Sequence, residues 1–99
     1  EFLYDDDLAN LCVFLMNNYS GIETVNAGTG KELTIGELAE LVVRTVGFEG
    51  ELLFDSTKPD GTMRKLIDVS KLHSLGWTHK VEIEDGVQRL FDWYKQSLK

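Results

Sequence analysis

Cysteine, proline and cationic residues are scarce in this 99-residue sequence, and so are long apolar runs. The single cysteine, Cys12, has no internal partner for a disulfide, which fits a reducing cytosol. Ten Lys and Arg stand against seventeen Asp and Glu, for a formal net charge of −7. A surface this anionic repels a phosphate backbone, which argues against non-specific nucleic-acid binding. No apolar run approaches the roughly 20 residues that a membrane-spanning helix requires. The opening Glu1-Phe2-Leu3-Tyr4 has no initiator Met, no cationic n-region and no apolar h-region. It is therefore not a signal peptide, and it reads as the start of a chain cut from something longer.

What is present describes an ordinary globular domain. A hydrophobic content of 42% and a charged content of 27% exclude disorder, and the length suits one small domain with a modest core. After Asp5-Asp6-Asp7, the residues Leu8, Leu11, Cys12, Leu15, Met16 and Tyr19 recur at helical spacing, with acids at the positive N-terminal end. Asn17-Asn18 and Ser20-Gly21 close that helix. Thr34-Ile35-Gly36-Glu37 has the form of a capping box, followed by Ile35, Leu38, Ala39, Val42 and Val46 on one face and Gly47 as the stop. Ser70 to Leu75 reads as a short helix closed by Gly76. A last helix, from about Glu82 to Leu98, carries Ile83, Val87, Leu90, Phe91, Tyr94 and Leu98 along one stripe. Residues 23–27 and 51–54 read as short strands, so the expected class is α/β. Its sheet would be thin, and more strands from elsewhere would make it easier to explain.

Several residues invite a chemical reading. Gly28-Thr29-Gly30-Lys31-Glu32 evokes a phosphate loop, but a Walker A motif needs Ser or Thr after the Lys, and a dinucleotide fingerprint needs Gly where Leu33 stands. A flexible turn is the better account. Asp5, Asp6 and Asp7 point in different directions on a helix and are expected to cap it, not to bind a cation. His73 and His79 lack Cys or His partners at metal spacing and are expected at the surface. Cys12 falls on an apolar face as inert packing. Trp93 lies off its stripe and hints at a covered second face.

The stretch Asp55 to Val69 differs from these. It gathers Lys58, Arg64 and Lys65, three of the ten basic residues, around Pro59-Asp60-Gly61. Pro59 fixes φ, while Asp60 and Gly61 suit a tight turn. A rigid turn carrying cations fits a phosphorylated ligand, with Arg gripping bidentately, Lys acting as a point charge and Asp60 accepting from sugar hydroxyls. A solvated loop whose cations neutralise Asp55, Asp60 and Asp68 fits the composition as well, and spacing does not separate the two.

The segments EFLYDDDLA, VNAGTGKELTIGELAELV and above all FDSTKPDGTMRKLIDVSKLHSLGW resemble the GDP-L-fucose synthases, a family of extended short-chain dehydrogenases/reductases. Related epimerases and dehydratases share the NxGxG turn and the LGW ending, but generally carry an Arg-led segment in place of KPDGTMRK. The resemblance spans essentially the whole chain and about the last third of the family's enzyme. It implies an α/β fold in which residues 1–99 form a C-terminal substrate-binding portion without the N-terminal Rossmann half. It implies a bifunctional activity, NADPH-dependent 3,5-epimerisation and 4-reduction of GDP-4-keto-6-deoxy-D-mannose, and a homodimeric full-length enzyme. NADPH would be bound mainly upstream, and the Ser/Tyr/Lys reductase set with the epimerase Cys and His would lie upstream too. No catalytic, cofactor-binding or metal residue is assigned to this chain, which alone is expected to be inactive. Asp60 matches the family's substrate-contacting Asp, and Lys58, Arg64 and Lys65 match the cations of the same motif. Asp6 and Asp7 match the family's Asp-Asp at a helix head. Asp5 and Met63 depart from it, the latter replacing a Pro common in the loop. Alternatives are another nucleotide-sugar epimerase or dehydratase, and a stand-alone binding module. A detached piece is expected to self-associate through open strand edges and bare apolar helix faces.

Overall fold

The computed structural model describes residues 1–61 and 66–98, among which four α-helices form: α1 (Asp5–Asn18), α2 (Ile35–Val46), α3 (Ser70–Ser74) and α4 (Ile83–Ser97). Each helix matches a sequence expectation to within two residues, because each carries its own local start or stop signal.

The capping box of α2 forms as read. The Thr34 hydroxyl accepts the Glu37 N–H at 3.0 Å, and the Glu37 carboxylate accepts the Thr34 N–H at 2.9 Å. Gly47 ends the helix at φ 75°, in the left-handed region. Helix α3 is preceded by Asp68, whose Oδ1 accepts both the N–H (2.9 Å) and the hydroxyl (2.5 Å) of Ser70. Gly76, at φ 102°, turns the chain out of α3 toward Trp77. Helix α1 begins differently from expectation. Tyr4 is its N-cap and no side chain caps it. Asp5 instead accepts the N–H of its neighbour Asp6 at 3.0 Å, and Asp7 turns inward.

The strands do not form. Among the described residues there is no β-ladder, and residues 23–27 and 51–54 run without strand partners. The physical reason is that a strand of four or five residues exists only when a neighbour supplies its hydrogen bonds. Around Glu23 and Thr24 side chains take the carbonyls instead: the Tyr19 hydroxyl donates to Glu23 O at 2.8 Å, and Lys71 Nζ to Thr24 O at 3.4 Å. Among the described residues the α/β class read from the sequence is therefore not seen, and the regular structure is helical.

The core is small and lies between α1 and α3. Leu11, Val69, Leu72 and Trp77 form it, with Leu3, Phe14, Leu15, Val25, Ala27 and Ile67 packed against it. Trp77 is oriented by an indole N–H donated to Asn10 Oδ1 at 2.9 Å. The apolar stripes of α2 and α4 fare otherwise. Leu41 is the buried residue of α2, whereas Ile35, Val42 and Val46 on the expected face stay exposed. On α4, Leu90, Trp93, Tyr94 and Leu98 are exposed too, so the covered second face read from Trp93 is absent among the described residues. The two helices pack against each other but leave an open groove of about 690 Å³ with Phe2, Leu38, Val42, Val87 and Phe91 among its walls. Cys12, expected in the packing, is exposed as well.

Candidate ligand-binding loop

The chain after Phe54 is described as far as Gly61 and again from Leu66. At its start, the Phe54 ring approaches Gly36 in the first turn of α2, 3.7 Å from the point where a side chain there would begin. Asp55 then folds the chain back on itself. Its Oδ1 accepts the N–H of Thr57 at 2.9 Å and the Thr57 hydroxyl at 2.5 Å, and its carbonyl oxygen accepts the Lys58 N–H at 3.4 Å. This is the Asx-type turn that a short acidic side chain favours. It sits one step earlier than the turn expected at Pro59-Asp60-Gly61. Gly61 does not take a positive φ, so its conformational freedom is not used there.

Lys58 and Asp60 follow, both exposed. Among the described residues neither side chain has an ion-pair or hydrogen-bond partner. Arg64 and Lys65, the other two cations of the motif, lie outside the described residues. The carboxylates of Asp55 and Asp68 are each engaged by hydroxyl and amide donors of their own turn. The Thr57 hydroxyl, then its N–H, holds the Asp55 carboxyl below its usual range. The Ser70 hydroxyl and N–H do the same for Asp68. Both carboxylates are thus engaged in local backbone geometry, and Asp60 is exposed.

The far end of the loop is tied by a residue that sequence reading missed. Glu1 accepts the N–H of Ile67 at 3.1 Å and the N–H of Gly30 at 2.6 Å. The Thr29 hydroxyl, 3.3 Å away, donates to it as well. Burial tends to raise the Glu1 carboxyl's pKa, but the Gly30, Ile67 and Thr29 donors together outweigh it and hold the group below its ordinary value. The only sequence signal was the glycine pair itself.

That arrangement also tests the fit of a dinucleotide. A pyrophosphate needs open N–H groups at a glycine turn leading into a helix. Here the Gly28–Gly30 turn presents its free N–H to the Glu1 carboxylate, and residues 31–34 separate it from α2. The Gly28–Gly30 turn does not fit the pyrophosphate of NADP.

Two further side chains depart from expectation. Asp7 is only 4% exposed and accepts the N–H groups of Lys80 (3.2 Å) and Val81 (2.9 Å), fastening α1 to the approach of α4. The side chain of His79 is 9% exposed and not at the surface. Its Nε2 lies 2.9 Å from Glu82 Oε1, its Nδ1 has no partner among the described residues, and Glu82 in turn holds Lys31 at 2.9 Å. His73 is exposed, as read.

No family model matches the chain. Its fold is shared with one part of known GDP-sugar reductases. A GDP-6-OMe-4-keto-L-xylo-heptose reductase from C. jejuni superposes with a TM-score of 0.89 at 41% identity, over 98% of this chain and 31% of that enzyme. A GDP-mannoheptose C4 reductase from Campylobacter jejuni, solved with NADP bound, gives 0.86 at 42% identity, over 96% of this chain and 31% of that enzyme.

In sequence the chain is similar to GDP-L-fucose synthase 1 of Arabidopsis thaliana, with 61% identity over 99% of the chain and 30% of that protein. The resemblance to GDP-L-fucose synthases read from the sequence therefore holds across the chain, which spans about 30% of the length of this relative. Among the described residues, no helix is long and apolar enough to cross a membrane.

Proposed function

We propose that residues 1–99 are the C-terminal, substrate-binding portion of a cytoplasmic, homodimeric GDP-L-fucose synthase of the extended short-chain dehydrogenase/reductase class. The complete enzyme converts GDP-4-keto-6-deoxy-D-mannose to GDP-L-fucose by 3,5-epimerisation and NADPH-dependent 4-reduction. In it, residues 23–27 and 51–54 complete ladders with strands supplied by the rest of the enzyme, which restores the α/β class. The observation that carries this reading is the 61% identity to a GDP-L-fucose synthase over 99% of the chain.

Within that enzyme the chain's task is orientation. The 4-keto group acidifies the protons on either side of it, so general acid–base groups suffice for epimerisation, and those groups belong to the remainder of the protein. The loop after Phe54 contributes Asp60 to the sugar-nucleotide and Lys58, Arg64 and Lys65 to its phosphates. Holding the ligand in register lowers the barrier without any bond being made by these residues. The side chains of Lys58 and Asp60, exposed and without partners among the described residues, support this role.

The likeness to the C. jejuni heptose reductase, at a TM-score of 0.89, supports a second reading with the same class of enzyme and a different GDP-sugar. Turnover separates the two. The complete enzyme should consume NADPH with GDP-4-keto-6-deoxy-D-mannose and release GDP-L-fucose, while the 99-residue chain alone should be inactive. NADPH consumption with a GDP-4-keto-heptose and none with the deoxymannose would replace the first reading by the second.

A further inference from the structure

An apolar groove of about 690 Å³ lies between α2 and α4 and stands open among the described residues. Val42 and Val46 line it from α2, and Leu90, Trp93 and Tyr94 from α4, all of them exposed. The C. jejuni heptose reductase matches the backbone of this chain at a TM-score of 0.89 over 31% of its own length. The wall helices thus keep an arrangement found within a much longer enzyme, and the groove is a feature of that fold. A contiguous apolar surface of this kind marks a place where something docks.

The walls restrict what fits. Both are α-helices whose backbone N–H and C=O groups bond within their own turns, so an occupant finds no backbone partners there. It must satisfy its own peptide groups, which a helix does and an extended segment does not. Helix α2 has 12 residues and is about 18 Å long, so an occupant of about three turns covers that wall. The charged lining residues are Asp5 and Glu82, both acids, which favours a Lys or Arg on the occupant's flank. A second copy of this chain fits poorly. Two-fold pairing sets a patch against itself, and a groove facing a groove leaves the space between them empty. Each copy also brings a net charge of −7 and the same two acids. The chain spans about 30% of the length of its A. thaliana relative, and a segment tethered in the same polypeptide docks at high effective concentration.

We propose that the α2–α4 groove seats an amphipathic helix of the same polypeptide, from outside residues 1–99. Its apolar side chains, at three- and four-residue spacing, cover Val42, Leu90 and Trp93, and a cation on its flank faces Asp5 and Glu82. This assignment rests on the reading of residues 1–99 as one portion of a longer enzyme.

Two measurements on the complete enzyme test it. Trp77 is 5% exposed in this chain and Trp93 64%, so the pair gives an internal comparison in hydroxyl-radical labelling. With the groove open, Trp93 should be labelled about tenfold faster than Trp77, in proportion to exposure. With a helix seated, the ratio should fall below about threefold, and a higher ratio overturns the proposal. A benzophenone side chain placed at Leu90, or at Val46 should the first protein fail to fold, then identifies the occupant by photo-crosslinking in enzyme assembled from isotopically light and heavy chains. Attachment should occur within one chain, to a segment outside residues 1–99 with apolar residues at helical spacing and a Lys or Arg. Attachment between light and heavy chains makes the occupant part of a second copy and overturns the proposal. Attachment confined to residues 1–99, or to a segment without that spacing, overturns it too. So does protection of Trp93 with no attachment to polypeptide, which points to a small apolar ligand. Turnover of the GDP-sugar by the unmodified complete enzyme keeps the two readings apart. Turnover with attachment to a second copy leaves the proposed function standing, whereas same-chain attachment without turnover removes that function and leaves the docked helix.

Discussion

Asp7 does more for the fold than Asp5 or Asp6, although the three are identical in type and adjacent in sequence. Only Asp7 is buried, and its carboxylate satisfies two backbone N–H groups ahead of α4. Replacing it by Ala orphans both donors, with an expected loss of about 2–3 kcal/mol in urea unfolding. The same change at Asp5 should be nearly silent. Glu82 offers a second test at this scale. The Lys31 ammonium, and after it the His79 ring, hold its carboxyl below the ordinary value of 4.5. Its folded form therefore favours the charge. The contribution is fully present above that ordinary value and is lost as pH falls through the lowered one. Lys31→Met should move the Glu82 carboxyl midpoint upward in a carbon-detected NMR titration, and an unmoved midpoint would mean that the pair is a surface accident. Neither role was legible in the sequence, because which of three equal acids turns inward is decided by residues more than seventy positions away, at Lys80 and Val81.

At the scale of the element, legibility follows from locality. The four helices could be read because their signals lie within one turn of their ends, as with Thr34, Glu37 and Gly47 around α2. Thr34→Ala removes one half of the capping box and should cost about 1 kcal/mol, read as a lower midpoint in urea. Gly30→Ala should cost more than that, since it forces a side chain into a left-handed backbone and against Val69. The two short strands could not be confirmed in the same way. Residues 23–27 and 51–54 carry strand-like composition, but a ladder is a property of pairs, and nothing among the described residues pairs with them. The candidate loop falls between these cases. Its clustered cations are what singled it out in the sequence, whereas its turn lies at Asp55–Lys58 and Ile67 beyond it is held by Glu1, a contact 66 positions apart that no local pattern encodes.

The whole molecule is broad and thin, with extents of 49 × 37 × 17 Å and a radius of gyration of 16.6 Å. A compact chain of this length has a radius of about 13 Å. Its surface of 7897 Å² compares with roughly 5,700 Å² for a compact protein of the same mass. The excess is of the size that obligate interfaces bury, and the bare stripes of α2 and α4 account for part of it. The isolated chain should therefore self-associate or unfold readily, and a monodisperse, stable monomer in sedimentation velocity would count against the reading of these faces as contact surfaces. The central claim is that the loop after Phe54 grips a sugar nucleotide through Asp60. Calorimetric titration of the complete enzyme with GDP-mannose, repeated with Asp60→Ala, tests it most directly. The expected result is binding that weakens about tenfold or more on substitution, as for the loss of a charged hydrogen-bond acceptor; equal affinity in the two proteins would contradict it.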